Sequence, residues 1–100
     1  MNKSVVIPRH EVADFCREHH ILRLAVFGSA LRDDFRPDSD VDVLVEFEPD
    51  HVPGFMALAA MERRLSEMLG RKADLRTPED LSQYFRNEVI ATAEIQYAKE

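Results

Sequence analysis

The sequence predicts an α+β fold, a small mixed β-sheet with flanking helices in the order α-β-(α)-β-α-β-α, and three observations carry that reading. A nearly continuous apolar run, Ile21-Leu22-Arg23-Leu24-Ala25-Val26-Phe27, stops abruptly at Gly28, as a central strand does. Asp40 to Phe47 then alternates, with Val41, Val43, Val45 and Phe47 on one face and Asp40, Asp42, Leu44 and Glu46 on the other. Helical spacings surround both segments, so helices must pack on the sheet that the strands form.

Taken in order, Pro8 opens the first helix, because its missing N–H would find no partner in a first turn. Val12, Phe15, Cys16 and His19 form one apolar stripe on it. The first strand follows. Residues 30–39 are polar, include Pro37, and have room for at most one helical turn. After the second strand, residues 48–54 read as a loop with two prolines. Phe55, Leu58, Met61, Leu65, Met68 and Leu69 mark an amphipathic helix that Gly70 closes. Ala73 to Arg76 is a short strand. Thr77-Pro78-Glu79-Asp80 has the N-cap, proline and acids of a helix start, and Leu81, Tyr84, Phe85, Val89 and Ala93 are expected to carry that helix towards the C-terminus.

With 100 residues, the chain is the size of one small domain, 1–100, with no repeat or low-complexity segment. The net charge is −6 and no Lys/Arg run exceeds two residues, which argues against a long nucleic acid as partner. No apolar run approaches the ~20 residues that span a bilayer. One cysteine, Cys16, excludes an internal disulfide and fits a reducing compartment, so the expectation is a cytoplasmic protein with no membrane partner.

The residues able to carry chemistry are few. Gly28 lets the backbone approach a phosphate, Ser29 adds a hydroxyl, and a helical turn starting at Ala30 would aim free N–H groups at the same spot. Asp40 and Asp42 leave one face of a strand, and two carboxylates held that close call for a cation between them. Mg²⁺ suits such a pair, as a hard ion that prefers carboxylates, waters and phosphates. Asp74 would be a third acid if its strand pairs beside the second, completing a set suited to two-metal phosphoryl or nucleotidyl transfer. An EF-hand built on Asp38, Asp40 and Asp42 fails, since Val43 stands where glycine is needed and Pro49 where the closing glutamate should be.

Gly28-Ser29, a ten-residue spacer and Asp40-Val41-Asp42 resemble the signature of the DNA polymerase β-like nucleotidyltransferase superfamily. Arg36 to Val45 and Gly70 to Pro78 are similar to its small prokaryotic branch, the minimal nucleotidyltransferases (MNT), and the resemblance runs over most of the chain. It implies a polymerase β palm-like core, with Asp40, Asp42 and Asp74 as catalytic acids and metal ligands, Asp74 also a base. It implies that Gly28, Ser29 and Arg32 bind the nucleotide triphosphate. Where many members read Gly-Ser-Arg-Ala-Arg-Gly, this chain has Gly28-Ser29-Ala30-Leu31-Arg32-Asp33, so the second arginine is kept while Ala30 and Asp33 depart.

Members of this length resemble the antitoxin of a two-protein HEPN/MNT module. The resemblance implies a metal-dependent protein adenylyltransferase with Mg²⁺ as cofactor and ATP as substrate, transferring AMP to a tyrosine of a HEPN-type RNase toxin. The departures at Ala30 and Asp33 keep a second reading open, a non-catalytic antitoxin that neutralises the toxin by covering it. Transfer to a small molecule or tRNA is disfavoured by the lack of an acceptor domain.

Other residues read as packing. Cys16 belongs to the core, His19 and His20 favour a helix's negative pole, and His10 and His51 lack ligand-like spacing. Met56, Met61 and Met68 fill the core, and Tyr84, Phe85 and Tyr97 pack the last helix, any left exposed being available to a partner. Arg71 and Lys72 are either a solvated turn or a phosphate contact.

Overall fold

A computed structural model describes residues 7–28 and 40–99. Its elements are helix α1 (Arg9–Glu18), strands β1 (Ile21–Phe27) and β2 (Val41–Phe47), helix α2 (Phe55–Leu69), strand β3 (Ala73–Arg76), helix α3 (Arg86–Thr92) and strand β4 (Glu94–Ala98). The four strands form one sheet in the order β3-β2-β1-β4. β1 runs antiparallel to both β2 and β4, whereas β2 and β3 are parallel. The expected mixed sheet with flanking helices is therefore present, and β1 is an inner strand.

The core lies between one sheet face and the first two helices. Val41, Val43 and Val45 are fully buried, and Leu24 and Val26 stand beside them in register with Val45 and Val43. Val12, Phe15 and Cys16 of α1 and Met61 and Leu65 of α2 close over that face. Burial pushes the Cys16 thiol up to about 12, against a smaller downward pull from Arg17, so it packs as an inert apolar group. Arg64 bridges the two helices through an exposed 2.6 Å contact with Glu18, worth under about 1 kcal/mol.

α1 hands over to β1 within two residues. His20 takes a left-handed φ of 58° there, a conformation that histidine tolerates better than most side chains. Between the parallel strands β2 and β3, Gly70 closes α2 at φ 72°.

The outer edge of β3 is covered by two polar side chains of α2. Ala73 N–H donates to Ser66 Oγ and Leu75 N–H donates to Glu62 Oε2, both at 2.8 Å. Glu62 and Ser66 are four residues apart and share a helix face, which matches two outward-pointing N–H groups two residues apart on a strand. Val41 N–H meanwhile donates to Lys72 O at 2.8 Å, starting the β2–β3 ladder. These bonds hold β3 in one register.

The C-terminal quarter departs from expectation. Thr77-Pro78-Glu79-Asp80 does form a capping box, with Thr77 N–H donating to Asp80 Oδ2 at 3.0 Å, but it opens only a 3-10 turn over Pro78–Asp80. Leu81 then turns extended, and helix starts again only at Arg86. Ala93 ends α3 in an extended conformation and releases β4, a strand not expected from sequence, whose Tyr97 pairs with Leu24 and packs on the core. Tyr84 and Phe85 do not pack a helix face; they are 83% and 60% exposed. Phe55 likewise leaves the apolar stripe assigned to α2, and Met56 does not fill the core, at 85% and 83% exposure. Met61 and Met68 pack as expected.

Removing the Glu62 carboxylate leaves a part-buried strand N–H without its acceptor. Glu62→Ala is expected to cost about 1–3 kcal/mol of stability in urea unfolding, while Glu67→Ala on the same helix changes little. Equal, small losses in both variants would show that the β3 edge does not depend on α2 in this way.

Candidate active site

The acids predicted to carry chemistry meet at one end of the sheet. Phe27 of β1 pairs with Asp42 of β2, and Asp42 pairs in parallel register with Asp74 of β3. Because Val41 and Val43 point into the core, alternation sends Asp42 to the opposite sheet face, and the parallel register puts Asp74 beside it. Both aspartates are half-buried. β3 thus does pair beside β2, the condition under which Asp74 joins the pair.

Gly28 ends β1 with φ 72°, a left-handed conformation that glycine adopts without a Cβ penalty. Space demands it as well. A Cβ at this position would run into Asp42 Oδ2 and come within 3.3 Å of Asp42 Cγ. The backbone at the strand end therefore lies directly against the Asp42 carboxylate, and the missing side chain is what lets the two coexist. In the folded chain, the Gly28 and Asp42 halves of the sequence motif touch.

Asp40 stands immediately before β2 and is half-buried. The Lys72 ammonium lies 3.9 Å from Asp40 Oδ2, with Lys72 well exposed and Asp40 partly so, and this pair contributes little to stability. It does bring one cation to the acidic corner. The three aspartates converge on one corner without their oxygens gathering within 4.8 Å of one another. Among the described residues, the one His/Cys/Asp/Glu group meeting that limit is His20, Glu48 and His51. That cluster was not expected: His20 and His51 are distant in sequence, and only the return of β2 alongside β1 brings them together. Ser29 and Arg32, with the departures Ala30 and Asp33, lie outside the described residues.

Carboxylates on adjacent parallel strands, set against a bare glycine strand end, are an arrangement able to hold a cation with room for an oxyanion beside it. The chain belongs to the nucleotidyltransferase domain family, whose model matches residues 9–97. It is 38% identical to the protein adenylyltransferase MntA of Thermococcus cleftensis over 55 residues, 55% of this chain and 54% of that protein. The match thus spans about half the length of that relative. Among solved structures, a proposed minimal nucleotidyltransferase superposes with a TM-score of 0.70 at 33% identity, covering 85% of each chain. A toxin–antitoxin crystal structure with AMP-PNP superposes with a TM-score of 0.74 over 94% of this chain and 76% of that one, at 16% identity, a likeness of fold alone. The chain is thus a member of the nucleotidyltransferase domain family, similar over most of its length to that minimal nucleotidyltransferase.

Gly28→Ala combines a strained φ with a clash against Asp42, and is expected to lose about 1–3 kcal/mol in chemical denaturation. Gly54→Ala is the control, since a Cβ there meets nothing within 4 Å. If both variants unfold at the same denaturant concentration as the native chain, the close approach of Gly28 to Asp42 is wrong.

Proposed function

We propose that this chain is a Mg²⁺-dependent protein adenylyltransferase, the antitoxin of a cytoplasmic HEPN/MNT pair, which transfers AMP from ATP to a tyrosine of its toxin. The observation that carries the reading is the register of Asp42 with Asp74 beside Gly28, in a chain of the nucleotidyltransferase family. The donor set suits Mg²⁺, being all carboxylate oxygen, and Gly28 leaves the neighbouring backbone bare for phosphate. Asp40, Asp42 and Asp74 are the residues that would hold the metal, which when bound neutralises triphosphate charge and polarises the α-phosphate.

Each residue then has a task. Gly28, with Ser29 and Arg32, binds the triphosphate. Lys72 offers a cation at the rim of the acidic corner. Asp74 takes the proton of the acceptor hydroxyl as that oxygen bonds to the α-phosphorus. The bond from the α-phosphorus to the α–β bridging oxygen breaks, pyrophosphate leaves, and AMP remains on the acceptor. The acceptor must be presented from outside, and the exposed apolar side chains Phe55, Met56, Tyr84 and Phe85 are suited to docking a partner.

Incubation with labelled ATP, Mg²⁺ and a HEPN-type protein should label that protein. Asp42→Asn and Asp74→Asn should each reduce labelling by ~10²-fold or more, and EDTA should abolish it. Native-level labelling by Asp42→Asn would sink the assignment. Ala30 and Asp33 support a second reading, neutralisation by complex formation alone. It requires the doubly substituted Asp40→Asn/Asp42→Asn chain to protect against the toxin at the native dose. Lost protection with the complex intact rejects it.

A further inference from the structure

At the end of the β1–β2 hairpin remote from the aspartates, three side chains with metal-binding atoms come together. His20 leaves the turn between α1 and β1, Glu48 follows β2, and His51 closes the 3-10 turn Pro49–His51. One ligand atom from each lies within 4.8 Å of the others. The His20 and His51 rings stack with centroids 3.7 Å apart, and His20 Nδ1 is 3.7 Å from Glu48 Oε2. The backbone fixes two of the three, because Glu48 N–H donates to His20 O at 2.9 Å and His20 holds its left-handed φ of 58°. His51 N–H donates in turn to Glu48 O at 2.9 Å. Lys99 Nζ contacts Glu48 Oε2 at 3.1 Å. A cavity of about 550 Å³ opens beside the cluster, lined by His20 and His51 together with Val52, Ala57 and Arg64.

We propose that His20, Glu48 and His51 form a binding site for a borderline divalent cation of the Zn²⁺ class. Two imidazoles and one carboxylate are the donors such ions favour, whereas Mg²⁺ prefers oxygen alone. A tetrahedral Zn²⁺ needs donor atoms about 3.3 Å apart and in the plane of each imidazole, so the stacked His20 and His51 rings must swing apart to converge on it. Three protein ligands leave one position for water or an anion, and the cavity provides the space. Register separates this site from the aspartates: Ile21 faces Phe47 where Phe27 faces Asp42, about 20 Å along the strand. The bound ion acts as a clasp, tying the α1–β1 turn to the β2–α2 connection.

Titrating the full chain with ZnCl₂ by calorimetry, in chelator-free buffer, tests the site. One equivalent should bind, and His20→Asn (asparagine accepts the left-handed φ) and His51→Ala should each weaken it by at least about tenfold. His10→Ala and Asp42→Asn/Asp74→Asn should leave it unchanged. Imidazole signals in NMR spectra of the native chain give a readout free of any variant: Zn²⁺ should shift those of His20 and His51 first. Absence of binding, first shifts at His10 or His19, or loss of binding in the aspartate variant with His20→Asn unaffected would each overturn the proposal.

Discussion

The parallel pairing of β2 with β3 sets the position of everything at the acidic corner. A parallel pair cannot be joined by a tight turn, so α2 must carry the chain back across the sheet before β3 can start. The same helix then supplies Glu62 and Ser66 to the outer N–H groups of β3, satisfying an edge that would otherwise be open to pairing. Register is unforgiving here. A slip of one residue would turn Asp74 into the core and Leu75 away from it, so burial of Ala73 and Leu75 and the placing of the acid on the opposite face are one constraint.

From that constraint the hairpin of β1 and β2 acquires two chemically different ends. At one end the glycine strand end presses on Asp42, and the surroundings are carboxylates with Lys72 at the rim. At the other end the chain reversals at His20 and Glu48 gather nitrogen donors around a single carboxylate. Oxygen-only and nitrogen-rich donor sets are thereby kept apart by the length of a strand. Between them the three fully buried valines of β2 act as a rigid spacer.

The sequence made β1, β2, α2 and β3 legible because each carries a clean periodicity and a clear stop, Gly28 for β1 and Gly70 for α2. It also showed the acids of the corner, since residues two apart on a strand share a face whatever the tertiary context. Asp74 was legible only conditionally, because strand pairing is a long-range fact. The C-terminal quarter was misread for a physical reason: Thr77 to Asp80 has every local signal of a helix start, yet Leu81 goes extended after one turn. β4 is five residues with a weak alternation, and only its pairing with β1 makes it a strand. Nor could periodicity tell that Phe55, Met56 and Tyr84 stay exposed, since an apolar stripe shows that a face is sticky and not what covers it. The cluster of His20, Glu48 and His51 has no sequence spacing to find.

Asp42, Asp74 and the Gly28 strand end are proposed to form one nucleotide and metal site. A crystal structure of the chain with a non-hydrolysable ATP analogue and Mn²⁺, using the manganese anomalous signal, tests this. An anomalous peak in contact with the Asp42 and Asp74 carboxylates is expected, with phosphate density against Gly28. Nucleotide bound elsewhere, with no manganese at those two aspartates, would contradict it.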